Sequence, residues 1–277
     1  MNPIHTHIDL GPGSIGWKVN RESIILIGGT RAVLMQIAHP LVAMGVSAHS
    51  DYMIDPFGRA NRTFVLGEIL SFGTREKARQ AARTINHKHL LVHGELPINA
   101  GVFPKGTCYD ARDPELLLWV HATLVDTWLQ CYNLFVGSLS REEENTYYQE
   151  SKEIAHLLGL IPDKMPDTID DLRQYVDDMV HSEYLRATPQ ARQIAQQLLF
   201  PPIHTMFRPL LHLNLQITSA LLPQPIREIY GIEWSSHRQK IFNISSQGIK
   251  AIIPRLPTYL RELPITRRLM RETTMQG

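Results

Sequence analysis

The stretch that decides the fold is DPELLLWVHATLVDTWLQCYNLFVG, Asp113 to Gly137. Asp113 is an N-cap residue, Pro114 fits the first helical turn where its missing N–H goes unused, and Gly137 is a C-cap. Between them, apolar side chains cover most sides of a helix from Pro114 to Val136, which at 1.5 Å per residue spans roughly 34 Å. A helix that is apolar nearly all round belongs in the interior. The spacing therefore predicts a central helix clothed by others.

The same period recurs outward from it. Ser140, three residues before Glu143, makes a capping box for a helix running to Leu158 and ended by Gly159. Asp167 or Thr168 starts another, Thr188-Pro189 starts the next, and Pro201-Pro202 stops it. Further helical periods cover 17–27, 30–48 with a kink or break at Pro40, 58–72, 74–93, 204–222, 235–252 and 256–272. Residues 95–113 are polar, contain Gly and Pro, and read as a loop; strand-type alternation is scarce. The expected fold class is all-α: a single multi-helix globular domain over residues 1–277, with 1–16 as an N-terminal extension.

Composition removes several function classes. Of 277 residues 43% are hydrophobic, enough for a large core, and the net charge of +1 argues against a nucleic-acid partner. The two cysteines, Cys108 and Cys131, form no CxxC pair. That excludes a disulfide framework, a cysteine-rich zinc site and covalent c-type haem attachment. The N-terminus, MNPIHTHIDLGPG, has no cationic region leading into an apolar run, so no signal peptide is read. Residues 24–48 are interrupted by Arg31, Gln36, His39 and Pro40, and 206–222 by Arg208, His212, Asn214 and Gln216, so neither reads as a spanning helix. The expected location is cytoplasmic, with peripheral membrane contact left open.

Gly11, Gly13 and Gly16 spell GxGxxG. The dinucleotide fingerprint needs a preceding strand within a βαβ unit, and here Pro12 sits inside the motif of a helical chain. Histidine carries more information. His87, His89 and His93 cluster near the end of the helix that begins at Thr74, and the 74–93 period places His89 and His93 on one face. His121 lies midway along the most apolar helix, where its imidazole needs a hydrogen-bond partner or a metal. Glu153 to His156 is the one ExxH, which leaves a di-iron site short of its second motif. A zinc site from His89, His93 and a carboxylate stays open, although HExxH is absent. Arg59 and Thr63 lie four apart behind an Asp55 N-cap and Pro56, presenting a guanidinium and a hydroxyl on one face; the plainer reading is a surface salt bridge and a backbone-bonded Thr. Arg31 is either a buried ion-pair member or a snorkelling side chain.

Taken in order, six segments resemble the MpaB/rubber-oxygenase (latex-clearing protein) catalytic-domain family. They are RAVLMQIAHPLVAMGVSAHS (Arg31–Ser50), DPFGRANRT (Asp55–Thr63), FGT (Phe72–Thr74), HLLVHG (His89–Gly94), YDARDPELLLWVHATLVDT (Tyr109–Thr127) and LPTYLRELPITRRLMRE (Leu256–Glu272). The resemblance implies a bacterial-type, all-α oxygenase domain with a haem-sized pocket holding non-covalent haem b (iron). His89, which opens an H-x-x-V-x-G segment with Val92 and Gly94, matches the proximal iron ligand. Arg59 and Thr63 match the family's Arg and Thr near the haem, and are the implied catalytic and cofactor-binding pair. His121 would stand in the pocket wall as a cofactor-binding or structural group. Arg62 replaces the family's lysine before the Thr, and LVAMGVSAHS offers no glutamate where rubber oxygenase has its base. Rubber itself is thus not the expected substrate. The implied partners are dioxygen and an apolar, unsaturated small molecule, with oxygen inserted at or across a carbon–carbon double bond. Alternatives are a non-catalytic haem- or lipid-binding module and a non-haem metal enzyme using His87, His89 and His93.

Overall fold

In the computed structural model, which describes residues 11–50, 55–201, 206 and 208–276, helical periodicity becomes helix almost everywhere. The first half of the chain forms α1 (Ile15–Asn20), α2 (Gly29–Ile37), α3 (Pro40–His49), α4 (Pro56–Phe72), α5 (Arg75–His89) and the long α6 (Pro114–Phe135). The second forms α7 (Arg141–Leu157), α8 (Ile169–His181), α9 (Pro189–Leu199), α10 (Arg208–Leu221), α11 (Gln224–Tyr230), α12 (Ser236–Ile252), α13 (Thr258–Arg261) and α14 (Pro264–Gln276). Two strands, β1 (His93–Glu95) and β2 (Cys108–Asp110), pair antiparallel with Gly94 opposite Tyr109. The fold is all-α.

The central helix sits where its composition puts it. Asp113 accepts the Glu115 N–H at 2.9 Å to start α6, while Val136 takes the C-cap position expected of Gly137. Trp119, Leu129, Cys131 and Phe135 are buried, because α6 is wrapped by α1, α2, α7, α8, α12 and a 3-10 turn at Ser23–Gly28. That turn approaches closely: a Cβ on Gly28 would lie 2.6 Å from both Cys131 Sγ and Thr127 Cγ2. Arg31 is buried and ion-paired, with Nη2 2.6 Å from Asp126 Oδ2 and Nε donating to the Leu221 carbonyl at 2.9 Å. Snorkelling is excluded. The capping boxes at Ser140 and Thr168 both form.

Departures from the expected helices have local causes. Residues 30–48 break at Pro40, so the two halves meet at 108°. His39 is extended there, and its Nδ1 accepts the Leu41 N–H at 3.3 Å. The carbonyls freed near the break find donors, Met35 from Trp119 Nε1 at 3.2 Å and Ala38 from the Arg186 N–H at 2.7 Å. Residues 17–27 divide into α1 and the 3-10 turn, and 256–272 divides at Pro257 and Pro264 into α13 and α14. The short α11, ended by Gly231 at φ +67°, is an addition. The expected 95–113 loop contains β2, and the expected 74–93 helix stops at His89 because the following backbone pairs elsewhere: Val92 accepts the Ala111 N–H and Leu96 donates to Thr107, both at 2.9 Å. Residues 1–10 of the expected extension, Pro202, and the start of the 204–222 period lie outside the described residues.

The last two helices clasp the first. Leu269 packs against Trp17 and Phe72, Arg21 pairs with Glu262, and Arg261 pairs with the buried Glu22. Among the described residues no single helix is long and apolar enough to cross a membrane; the bent pair Ser23–Ile37 and Pro40–His49 meets the length but contributes Ile25, Leu34, Met35 and Ala43 to the core.

Candidate functional site

Helices α4 and α5 form a hairpin about Gly73 and Thr74. Asp55 starts α4 by accepting the Gly58 N–H at 2.8 Å, and Thr74 starts α5 by accepting the Lys77 N–H at 3.4 Å. Leu66, Ile69 and Leu70 pack on Ala81, Ala82 and Ile85, which fixes the stripes the two arms turn toward each other. Arg59, Thr63, Leu66 and Leu70 fall within roughly 60° of arc on α4, and Ala78, Ala82, Ile85 and His89 do the same on α5. Each stripe runs about 20 Å from the turn before reaching Arg59 on one arm and His89 on the other. By helix rise alone Arg59 and His89 are at comparable distances from the turn, one on each arm. Thr63 lies one turn below, exposed to solvent.

His89 is half-buried, and its Nδ1 is shielded from water with no hydrogen-bond partner. Leaving such an atom unpaired costs about 1–3 kcal/mol. Burial pushes the imidazole pKa down, against the pull of Asp110, so the ring is held neutral. Asp110 itself is held down to about 2, chiefly by its hydrogen bond from Arg112. Leu90 and Leu91, directly after the histidine, are exposed. The H-x-x-V-x-G spacing now has a structural reason. His89 ends a helix, Val92 tucks against α3 so that a Cβ on Gly45 would meet its Cγ1 at 3.2 Å, and Gly94 lies on the Tyr109 ring, where a Cβ would sit 2.7 Å from Oη.

The other histidines separate. His93 stands exposed on β1, opposite Asp110, so it does not share a helix face with His89. That corrects the expectation drawn from their spacing; the β1–β2 ladder overrides the helical period. His87 is exposed, and among the described residues no three His, Cys, Asp or Glu side chains converge as metal ligands. His156 of the ExxH points its Nδ1 at the Leu160 carbonyl, 3.3 Å away. His121 joins α6 to α7. Ser151 donates to the Tyr148 carbonyl at 2.7 Å, and its oxygen lies 3.2 Å from His121 Nε2, which makes that nitrogen the donor. Burial, aided by Lys152, lowers the His121 pKa to about 4.

Two groups went unread in the sequence. His39, buried at the α2–α3 break, has its pKa lowered to about 4 by burial. His49 Nε2 lies 3.0 Å from Tyr109 Oη, beside Gly94. Both partners occur in quoted segments, but their meeting depends on α3 lying across β2. The GxGxxG string carries no anion site. Ser14 caps α1 by accepting the Trp17 N–H at 3.1 Å, and Glu150 takes the Ile15 and Gly16 N–H groups, so a carboxylate already fills the place a phosphate would need. Two open clefts of about 380 and 350 Å³ lie elsewhere, one between Ile24, Ile27, Ile253, Leu256 and Leu260, the other between Phe200, Arg208, Leu211 and Leu215.

Comparison with known proteins gives a family match. The model of the ER-bound oxygenase mpaB/B'/rubber oxygenase catalytic domain matches residues 17–251. The match reaches from α1 to the end of α12 and leaves out the Leu256–Glu272 tail. Two uncharacterized proteins, from Mycobacterium bovis and Mycobacterium tuberculosis, are each 25% identical over 222 residues, covering 76% of this chain and 81% of theirs. No solved structure matches the chain.

Proposed function

The chain belongs to the mpaB/B' and rubber oxygenase catalytic-domain family, and from that premise we propose that it is a haem b-dependent oxygenase of an apolar, unsaturated small molecule. The observation carrying this reading is the His89 imidazole at the end of α5, half-buried, with its Nδ1 shielded and unpartnered and its pKa lowered by burial. These residues fit an iron porphyrin. A neutral imidazole has the lone pair that ligation needs, and burial keeps it in that form. Bound haem would supply the dioxygen chemistry that no protein side chain can perform.

The protein's own part is binding, orientation and dryness. His89 would hold the cofactor. Arg59 would pair a propionate or offer a fixed positive charge where negative charge develops, and the Thr63 hydroxyl would bond a polar group at the same edge. Leu66 and Ile85, one to two turns below, close the hairpin against water. His121 would act through the α6–α7 packing that it bonds. No carboxylate stands on α3, where rubber oxygenase has its base, so rubber is not the proposed substrate. The reading takes residues 1–277 as one catalytic domain.

The test is the absorption spectrum of protein expressed with ample haem precursor. A Soret band is expected in the parent and its loss in His89→Ala, with Arg59→Ala retaining less haem. Loss of the band in His121→Ala with retention in His89→Ala would move the ligand to α6 and overturn the assignment. Oxygen uptake by the reduced protein with an alkene panel separates an oxygenase from a haem carrier, in which binding proceeds without product.

A further inference from the structure

The near-neutral net charge hides a sharp division. Residues 200–276 carry ten Lys and Arg against four Asp and Glu, a net of +6, while residues 1–199 carry 18 against 23, a net of −5. Across the border of the segment Glu262 is bound to Arg21, Glu272 to Lys77 and Arg261 to Glu22, while Glu272 also meets Arg268. Arg208, Arg238 and Lys240 are exposed, with no carboxylate recorded against them among the described residues.

The same segment exposes apolar side chains that a core would normally take. Of the sixteen large hydrophobic residues exposed among the described residues, ten lie at 200–276. On α12 they form a second apolar stripe. Phe242, Ser246, Ile249 and Ile253 face inward, with Phe242 edge-on to Phe135 of α6. Ile241, Ile244, Gly248 and Ile252 form a strip roughly 120° round the helix from that face, and the three isoleucines are 53%, 71% and 59% exposed. Neighbouring α10 adds Leu210 and Leu213, and α13, which follows α12 after the turn at Ile253–Arg255, carries Tyr259 and Leu260, all more than half exposed. A helix with an exposed apolar strip, flanked by Arg238, Lys240 and Arg255, has the pattern of one that lies in an interface.

We propose that the outward face of α12, with the exposed ends of α10 and α13 beside it, docks this protein on an anionic lipid surface. Charge selects the occupant. A second copy placed on this face would bring Arg208, Arg238 and Lys240 against their own counterparts, whereas acidic headgroups complement them. The isoleucine stripe enters the acyl boundary while Arg238, Lys240 and Arg208 reach headgroup phosphates and carboxylates. Docking is independent of the haem reading, so either can fail alone.

The test is flotation of the full chain with vesicles of pure phosphatidylcholine and of phosphatidylcholine with 30% phosphatidylserine. Binding to the mixed vesicles is expected, with weakening in high salt as screening shortens the reach of the charges. Each cation near such a surface is worth about fivefold in partitioning, so Arg238→Gln with Lys240→Gln should weaken binding roughly 25-fold. Ile241→Ser with Ile244→Ser should abolish it while thermal unfolding stays that of the parent, because neither side chain is packed. Absence of binding to the mixed vesicles, or binding unchanged by both pairs, overturns the proposal. So does an isoleucine pair whose only effect is to turn a dimer into a monomer on sizing.

Discussion

Gly28 is a residue whose identity is set by its neighbours and not by its backbone, which sits at φ −75°, open to any amino acid. Thr127 and Cys131 of α6 leave no room for a Cβ there. Gly28→Ala should destabilise the fold by about 1–3 kcal/mol through overpacking, read as a fall in the urea midpoint at constant slope. An unchanged midpoint would mean that the 3-10 turn does not press on α6. Gly94 obeys the same logic from the other side. Its missing side chain admits Tyr109, whose hydroxyl is engaged with His49, so a motif glycine that looks like a turn signal is a packing contact. Arg31 could be narrowed to two alternatives in the sequence, and the choice between them needed Asp126 and the adjacent Thr127 hydroxyl, which both receive the guanidinium.

At the scale of elements, two histidines tie helices together in their neutral form. His39 caps α3 through Nδ1, and His121 links α6 to α7 through Nε2. Burial lowers both pKa values to about 4, below the ordinary 6.5. The unfolded chain therefore binds more protons than the folded one between pH 6.5 and 4, and stability falls as pH is lowered through that window. It is fully present above about pH 7. Each histidine contributes a slope of up to about 1.4 kcal/mol per pH unit inside the window. Urea titrations at pH 7, 6, 5 and 4.5 should show this decline, and His121→Gln should reduce its slope. A pH-independent midpoint would show these imidazoles to be solvated. The α4–α5 hairpin is the other element of consequence. Its starts at Asp55 and Thr74 were legible, and both form caps in the structure.

Over the whole molecule, the tail closes the structure back onto its beginning. Glu22 is buried and depends on Arg261, Glu68 bonds Thr266, and Trp17 rests on Leu269. Removing residues 257–277 strips Glu22 of its cation, a loss of about 3–5 kcal/mol for a buried pair. That translates to a fall in Tm on the order of 10 °C for a chain of this size. Differential scanning calorimetry together with tryptophan emission tests it, since Trp17 should also shift to the red. An unaltered Tm would make the tail an accessory.

The sequence by itself determined the helices, because periodicity, N-caps and proline breaks act within a few residues of where they are written. It also placed the long apolar helix inside, since no other solvent suits such a surface. The spacing from His89 to Gly94 was readable as well, though the helix expected to run through it to residue 93 ends at His89. Only the tertiary structure decided that α5 stops at His89, because the competing hydrogen bonds involve Thr107 and Ala111, roughly twenty residues further on. It alone separated His93 from His89, joined His49 to Tyr109, and turned a second isoleucine stripe of α12 toward solvent. Contacts between distant segments carry no periodic signal in the chain; they exist once the core has chosen which faces to bury.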